Sequence, residues 1–139
     1  MSTVQDPVFF QLHEFLNSET AKKNNIKLIP SFQVVENLRV LSIKVLDPVR
    51  RLIEKPMIIT SGYRNPKLNK LVNGAASSQH LIGEAADFKL KDNYNLRQVY
   101  NLVQASNIPY DQMIYYPNKG IIHLSYTATR KPRRQAFIK

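Results

Sequence analysis

Ser77-Ser78-Gln79-His80-Leu81-Ile82-Gly83-Glu84-Ala85-Ala86-Asp87 is the stretch on which the fold turns. It opens as a loop, bends at a glycine that permits a tight turn, and runs into a strand over Glu84 to Leu90. Alternation puts Ala86, Phe88 and Leu90 on one face of that strand and Ala85, Asp87 and Lys89 on the other. A second string, Gly120-Ile121-Ile122-His123-Leu124-Ser125, adds a histidine to the His80 and Asp87 of the first. Two imidazoles and one carboxylate make a three-ligand set for a catalytic zinc ion, with a fourth position left for water. If the three converge, the chain is a metal-dependent hydrolase.

Convergence follows from the strands around them. Gln112 to Tyr116 and Ile121 to Tyr126 read as a hairpin about Pro117-Asn118-Lys119-Gly120. Ile121, His123 and Ser125 share one face of it, and Ile122, Leu124 and Tyr126 point to the core. Pairing Tyr116 with Ile121 sets Ile114 against His123 and Gln112 against Ser125, which brings Tyr116 and Gln112 to the face of the candidate ligands. Glu84 falls on the face opposite Asp87, and Asp111 on the face away from Gln112. A lone strand histidine is more often a hydrogen-bonded bystander than a ligand, so spacing alone leaves both readings open. His13, without acidic or histidine partners at ligand spacing, reads as structural or exposed.

Upstream, residues 1–30 read as a short helical piece closed by Pro30, after which Ser31 caps a long helix. Val34, Leu38, Leu41, Val45, Val49 and Leu52 form its apolar stripe. Pro48 predicts a kink or restart near Asp47. Met57 to Thr60 reads as a buried strand ending at the Ser61-Gly62 turn. Pro66 to Val72 is a short helix capped by Asn65, and 73–78 is a loop. Asn95 to Ser106 is an amphipathic helix with Leu96, Val99, Leu102 and Val103 inward. The order predicts an α+β fold, a small, mainly antiparallel sheet with helices packed on one side. At 139 residues and 43% hydrophobic content the chain fits one domain over 1–139 with its own core.

Composition narrows the chemistry. Without cysteine there are no disulfides and no thiolate metal sites, so a metal must use His, Asp or Glu. No apolar segment is long enough to span a membrane, and Met1 to Asp6 lacks the features of a signal peptide. The expectation is a soluble protein made in the cytoplasm, with no membrane insertion and a monomer favoured. The formal net charge is +10, and Arg130, Lys131, Arg133, Arg134 and Lys139 all follow the last acidic residue, Asp111. Such a surface attracts nucleic acid, anionic membrane or anionic wall, or is simply a solvated tail. Nucleic acid is the least favoured partner, because the cluster is short and no recognition motif surrounds it.

Taken together, Ser61-Gly62-Tyr63-Arg64-Asn65-Pro66, Leu68-Asn69, Ser78 through Asp87, Asp111-Gln112-Met113-Ile114 and His123-Leu124-Ser125 resemble the M15 peptidases. These are the D-alanyl-D-alanine carboxypeptidases and L-alanyl-D-glutamate endopeptidases of bacteria and phages, and the likeness is to the short, endolysin-like branch. It extends from about Phe10 to Phe137. The resemblance implies a hedgehog/DD-peptidase-like fold, a zinc ion held by His80, Asp87 and His123, and peptidoglycan stem peptides as substrate, met at the cell wall if the protein is released or exported. It gives Arg64 a part in positioning substrate or stabilising the oxyanion, and Ser78 a substrate contact. Many relatives carry an acidic base three positions before the last histidine, and others a histidine two before. Here those positions are Gly120 and Ile121, which take no proton. Tyr116, as a hydrogen-bond donor to the oxyanion, and Gln112 stand nearby on the same face. The alternative is an M15-like domain, impaired in catalysis, that binds wall peptide or serves in a phage particle.

Overall fold

The computed structural model describes residues 6–92 and 95–139. The stretch Met1 to Gln5, part of the expected N-terminal helix and of the signal-peptide reading, lies outside them. The rest of that piece is two short helices, α1 (Leu12–Leu16) and α2 (Glu19–Lys23). Ser18 restarts the helix between them, its Oγ accepting from the Ala21 N–H at 3.1 Å.

Ser31 caps α3 (Phe32–Leu41) as read, its Oγ accepting from the Val34 N–H at 3.2 Å. The expected break before Pro48 takes another form. A π-helical turn over Ser42–Leu46 leads directly into α4 (Asp47–Ile53). The Asp47 N–H reaches back to the Ser42 carbonyl, five residues away. Pro48 would clash with a carbonyl four residues earlier in a regular helix. The wider turn accommodates it without interrupting the helix. Ile53 is buried where Leu52 was expected, and Leu52, on the flank of the stripe, is 40% exposed.

The sheet has the order β1 (Met57–Ser61), β2 (Ala85–Leu90), β4 (Ile121–Ser125), β3 (Gln112–Tyr116), β5 (Gln135–Ile138). All pairs are antiparallel except β3 with β5. The result is the mixed α+β, mainly antiparallel fold expected. β5 is the departure. The basic C-terminus is not a free tail: Arg130 and Arg133 grip the buried Asp111, and the chain beyond them pairs with β3.

One face of the sheet is the core wall. Phe88, Ile122, Leu124 and Met113 are fully buried there, together with Leu41, Val45 and Val49 of the long helix. Each such side chain contributes about 1.5–3 kcal/mol by leaving water, which makes β2 and β4 the firmest part of the molecule. Helix α6 (Leu96–Ala105) packs on β3 and β4. Its buried side is Val99, Tyr100 and Val103, while Leu102 is 37% exposed rather than inward. Helix α5 (Pro66–Leu71), capped by Asn65 Oδ1 on the Leu68 N–H at 2.9 Å, sits beside a 3-10 turn over Gln79–Ile82. No helix among the described residues is long and apolar enough to cross a membrane.

Candidate metal centre

The 3-10 turn delivers His80. Ser78 starts that turn by accepting the His80 N–H on its Oγ at 3.2 Å, and Gly83 ends it at φ 77°. His80 is 2% exposed, and its Nδ1–H donates to the Gly62 carbonyl at 2.7 Å. A carbonyl only accepts, so the neutral ring carries its free lone pair on Nε2. Nε2 faces Asp87 Oδ1 at 3.2 Å. Asp87 stands on β2 opposite His123 of β4, whose Nδ1 lies 2.8 Å from the same Oδ1. On its other side Asp87 pairs with Ser61, just past a register shift in β1 that re-aims the strand end at the site. The imidazole centroids are 5.2 Å apart, and the three candidate ligand atoms lie within 4.8 Å of one another.

This arrangement has an acceptor facing an acceptor in a buried place, and it needs a positive charge between them. A proton or a cation can supply it, and two nitrogens with one oxygen suit zinc. Burial opposes ionisation of Asp87. When a proton fills that place, the positive charge of His80 and the hydrogen bonds of His123 and His80 outweigh that penalty and hold the carboxyl well below its usual range.

Arg64 comes from the turn after β1. Its backbone N–H donates to the His80 carbonyl at 3.0 Å, tying the two loops together. Its guanidinium is spread over three acceptors: Nε to Ser61 Oγ at 3.1 Å, and one terminal nitrogen to Asn69 Oδ1 at 3.2 Å. The other lies 3.5 Å from Asp87 Oδ2. Burial lowers its pKa, while Asp87 and Tyr116 oppose the shift.

Asn69 was given no role by the sequence. It is 5% exposed, and it also donates Nδ2–H to the Ala75 carbonyl at 2.9 Å, so it fixes both Arg64 and the loop before the 3-10 turn. The available signals were its place in the Leu68-Asn69 pair that carries part of the M15 resemblance, and an asparagine, a weak helix former, one turn after the cap Asn65.

These groups open onto a cleft of about 600 Å³. Ser78, Gln112 and Tyr116 all line it. The hairpin register matches the reading, with Tyr116 on Ile121 and Ile114 on His123. Gln112 gives its backbone N–H to Ser125 Oγ at 3.0 Å, which leaves its amide side chain to the cleft. Burial and nearby Asp87 raise the Tyr116 pKa against the opposing pull of Arg64, so its phenol keeps its proton at neutral pH.

Asp87 is the sole carboxylate among the described residues that line the cleft. Gly120 sits in the hairpin turn at φ 64°, and Ile121 is a cleft wall. Glu84 is buried away from the cleft and accepts from Gln79 Nε2 at 3.3 Å. Asp111 is fully buried, and burial is overcome by the hydrogen bonds of Arg130 and Arg133, which hold its carboxyl far below the usual range. A second cavity of about 500 Å³, between α1 and α3, is walled by Phe10, Phe15 and Leu38. Its one histidine, the exposed His13, has no convergent partner among the described residues.

The family model for peptidase M15 matches residues 8–125. That span contains His80, Asp87, His123, Arg64, Asn69, Ser78, Gln112 and Tyr116 and ends before β5, short of the Phe137 limit expected from the sequence. No individual curated protein matches the chain. With 118 of 139 residues inside the match (8 to 125 inclusive), the chain belongs to the peptidase M15 family.

Proposed function

We propose that this protein is a zinc-dependent peptidase that hydrolyses peptide bonds in peptidoglycan stem peptides. The observation that carries the reading is the convergence of His80 Nε2 and His123 Nδ1 on the Asp87 carboxylate, with His80 Nδ1 held by the Gly62 carbonyl. His80, Asp87 and His123 would hold the ion. Zinc supplies Lewis acidity, which acidifies water and polarises a carbonyl.

The remaining work belongs to side chains of the cleft. Arg64 keeps its charge beside Asp87 and presents N–H groups to a developing oxyanion or a substrate carboxylate. Tyr116 remains protonated and donates to the same oxygen. The Ser78 hydroxyl spends a lone pair on the turn, and its O–H still has a hydrogen bond to give. With the Gln112 amide it orients the peptide backbone. The basic surface favours residence on an anionic wall.

Digestion of purified sacculi tests the reading. New amino termini should accumulate with the zinc-loaded protein, stop with chelator, and be absent with His123→Ala. Unchanged hydrolysis by that variant would sink the assignment. One observation favours a second reading, a wall-binding domain without turnover: the cleft offers no carboxylate besides Asp87 among the described residues. A missing general base costs about 10²–10⁴ in rate. Chelator-insensitive binding to sacculi with no released termini would select that second reading.

A further inference from the structure

The row of the sheet that carries Asp87 and His123 continues through Ile114 of β3 to Phe137 of β5. Three strand spacings place Phe137 about 14 Å from Asp87. The next row on the same face, two residues along, runs from Ile121 to Tyr116 and on to Lys139, whose N–H donates to the Tyr115 carbonyl at 3.0 Å. Lys119 sits over the Tyr116 ring at 5.0 Å, and Lys139 over the Phe137 ring at 5.8 Å.

Both ammonium groups belong to residues that line the cleft, and neither has an ion pair among the described residues. Next to them Arg130 and Arg133 share the single charge of Asp111, leaving one net positive charge. The side chains at the far end of the cleft therefore carry a net positive charge, and no acidic side chain among the described residues pairs with the two lysines. Lys139 and Phe137 lie beyond the residues matched by the family, so this end is a feature of the chain rather than of that match.

We propose that Lys119 and Lys139 form an outer subsite for a carboxylate of an acidic peptide, about four extended residues from the bond that is cut. Phe137 supplies the apolar floor beneath the aliphatic part of that residue. The inference rests on the peptidase reading for its substrate class, but not for its test.

Calorimetric titration of the zinc-loaded full chain uses two hydrolysis-resistant, N-methylated pentapeptides, one with two glutamates and one with glutamines in their place. The glutamate peptide should bind about tenfold tighter at low salt, and the gap should shrink in high salt. In the Lys119→Gln/Lys139→Gln double variant, with an unchanged melting curve, the gap should fall below twofold. A wild-type gap under twofold, or a gap that survives in the double variant, overturns the subsite. Inorganic tripolyphosphate competing at far lower concentration than the glutamate peptide would also overturn it, in favour of a wall-polymer phosphate. Because binding is read without turnover, an inactive enzyme would refute the peptidase reading and leave this result standing.

Discussion

Gly62 serves the centre twice with backbone alone. Its carbonyl takes the His80 Nδ1–H, and its missing side chain lets α1 lie against it. A Cβ there would stand 2.5 Å from the Phe15 carbonyl oxygen and 2.6 Å from the Phe15 Cα, and both are backbone atoms with little freedom to move. Gly62→Ala should therefore cost about 1–3 kcal/mol by overpacking. It should also weaken zinc binding about tenfold or more, because the clash with Phe15 displaces the backbone carbonyl that orients the ligand. Thermal melting and chelator-competition titration measure the two effects. A destabilised variant with unaltered zinc affinity would show that the carbonyl does not orient His80. At this scale the ligand candidates were legible, because few residue types can hold a metal without cysteine. Asn69 was not, because its importance lies in where Arg64 and Ala75 arrive, which local sequence does not encode.

Among the elements, β5 depends most on its surroundings. It is four residues long and follows a basic run, so no pattern within it announces a strand. The cause is Asp111, which receives both guanidiniums and the Arg133 backbone N–H at 2.7–3.1 Å and turns the chain back along β3. Asp111→Asn should cost about 2 kcal/mol, less than for a fully enclosed pair because the arginines are partly hydrated. Its pH dependence has a definite sign. The folded carboxyl sits below its unfolded value, so its stabilisation is complete above the unfolded pKa of about 4 and is lost as pH falls toward the folded value. Urea melts across pH 2–7 should show a steep acid limb in the parent and a flatter one in the variant. Parallel limbs would mean that Asp111 is not the group responsible. The other four strands needed no such clamp. Met57 to Thr60, Glu84 to Leu90 and the hairpin declared themselves by alternation or β-branched runs, although β1 buries Met57 and Ile59 and leaves Ile58 38% exposed. Leu52 and Leu102 misled because an apolar residue on the flank of a stripe looks like one at its centre.

The whole molecule joins a firm apolar wall to a cationic working face, with the candidate metal centre between them. Zinc that binds only the folded chain must stabilise all of it. At a hundredfold excess over its dissociation constant the gain is about 2.7 kcal/mol, a rise of about 9 °C for a chain of this size. Differential scanning calorimetry with zinc and with chelator should show that rise in the parent and none in His123→Ala; equal shifts in both would place the ion elsewhere. The π-helical turn at Ser42–Leu46 bears on the molecule as a whole in another way. It holds one residue more than an α-helical turn while α3 and α4 stay continuous and Val45, Val49 and Ile53 stay on the buried side. Chain length and helical phase are thereby uncoupled at that point. A residue inserted or lost there can be absorbed as a change of winding, whereas one inserted in β2 would turn Asp87 to the opposite face. The long helix is where this sequence has room to drift in length, and the sheet is where it has none.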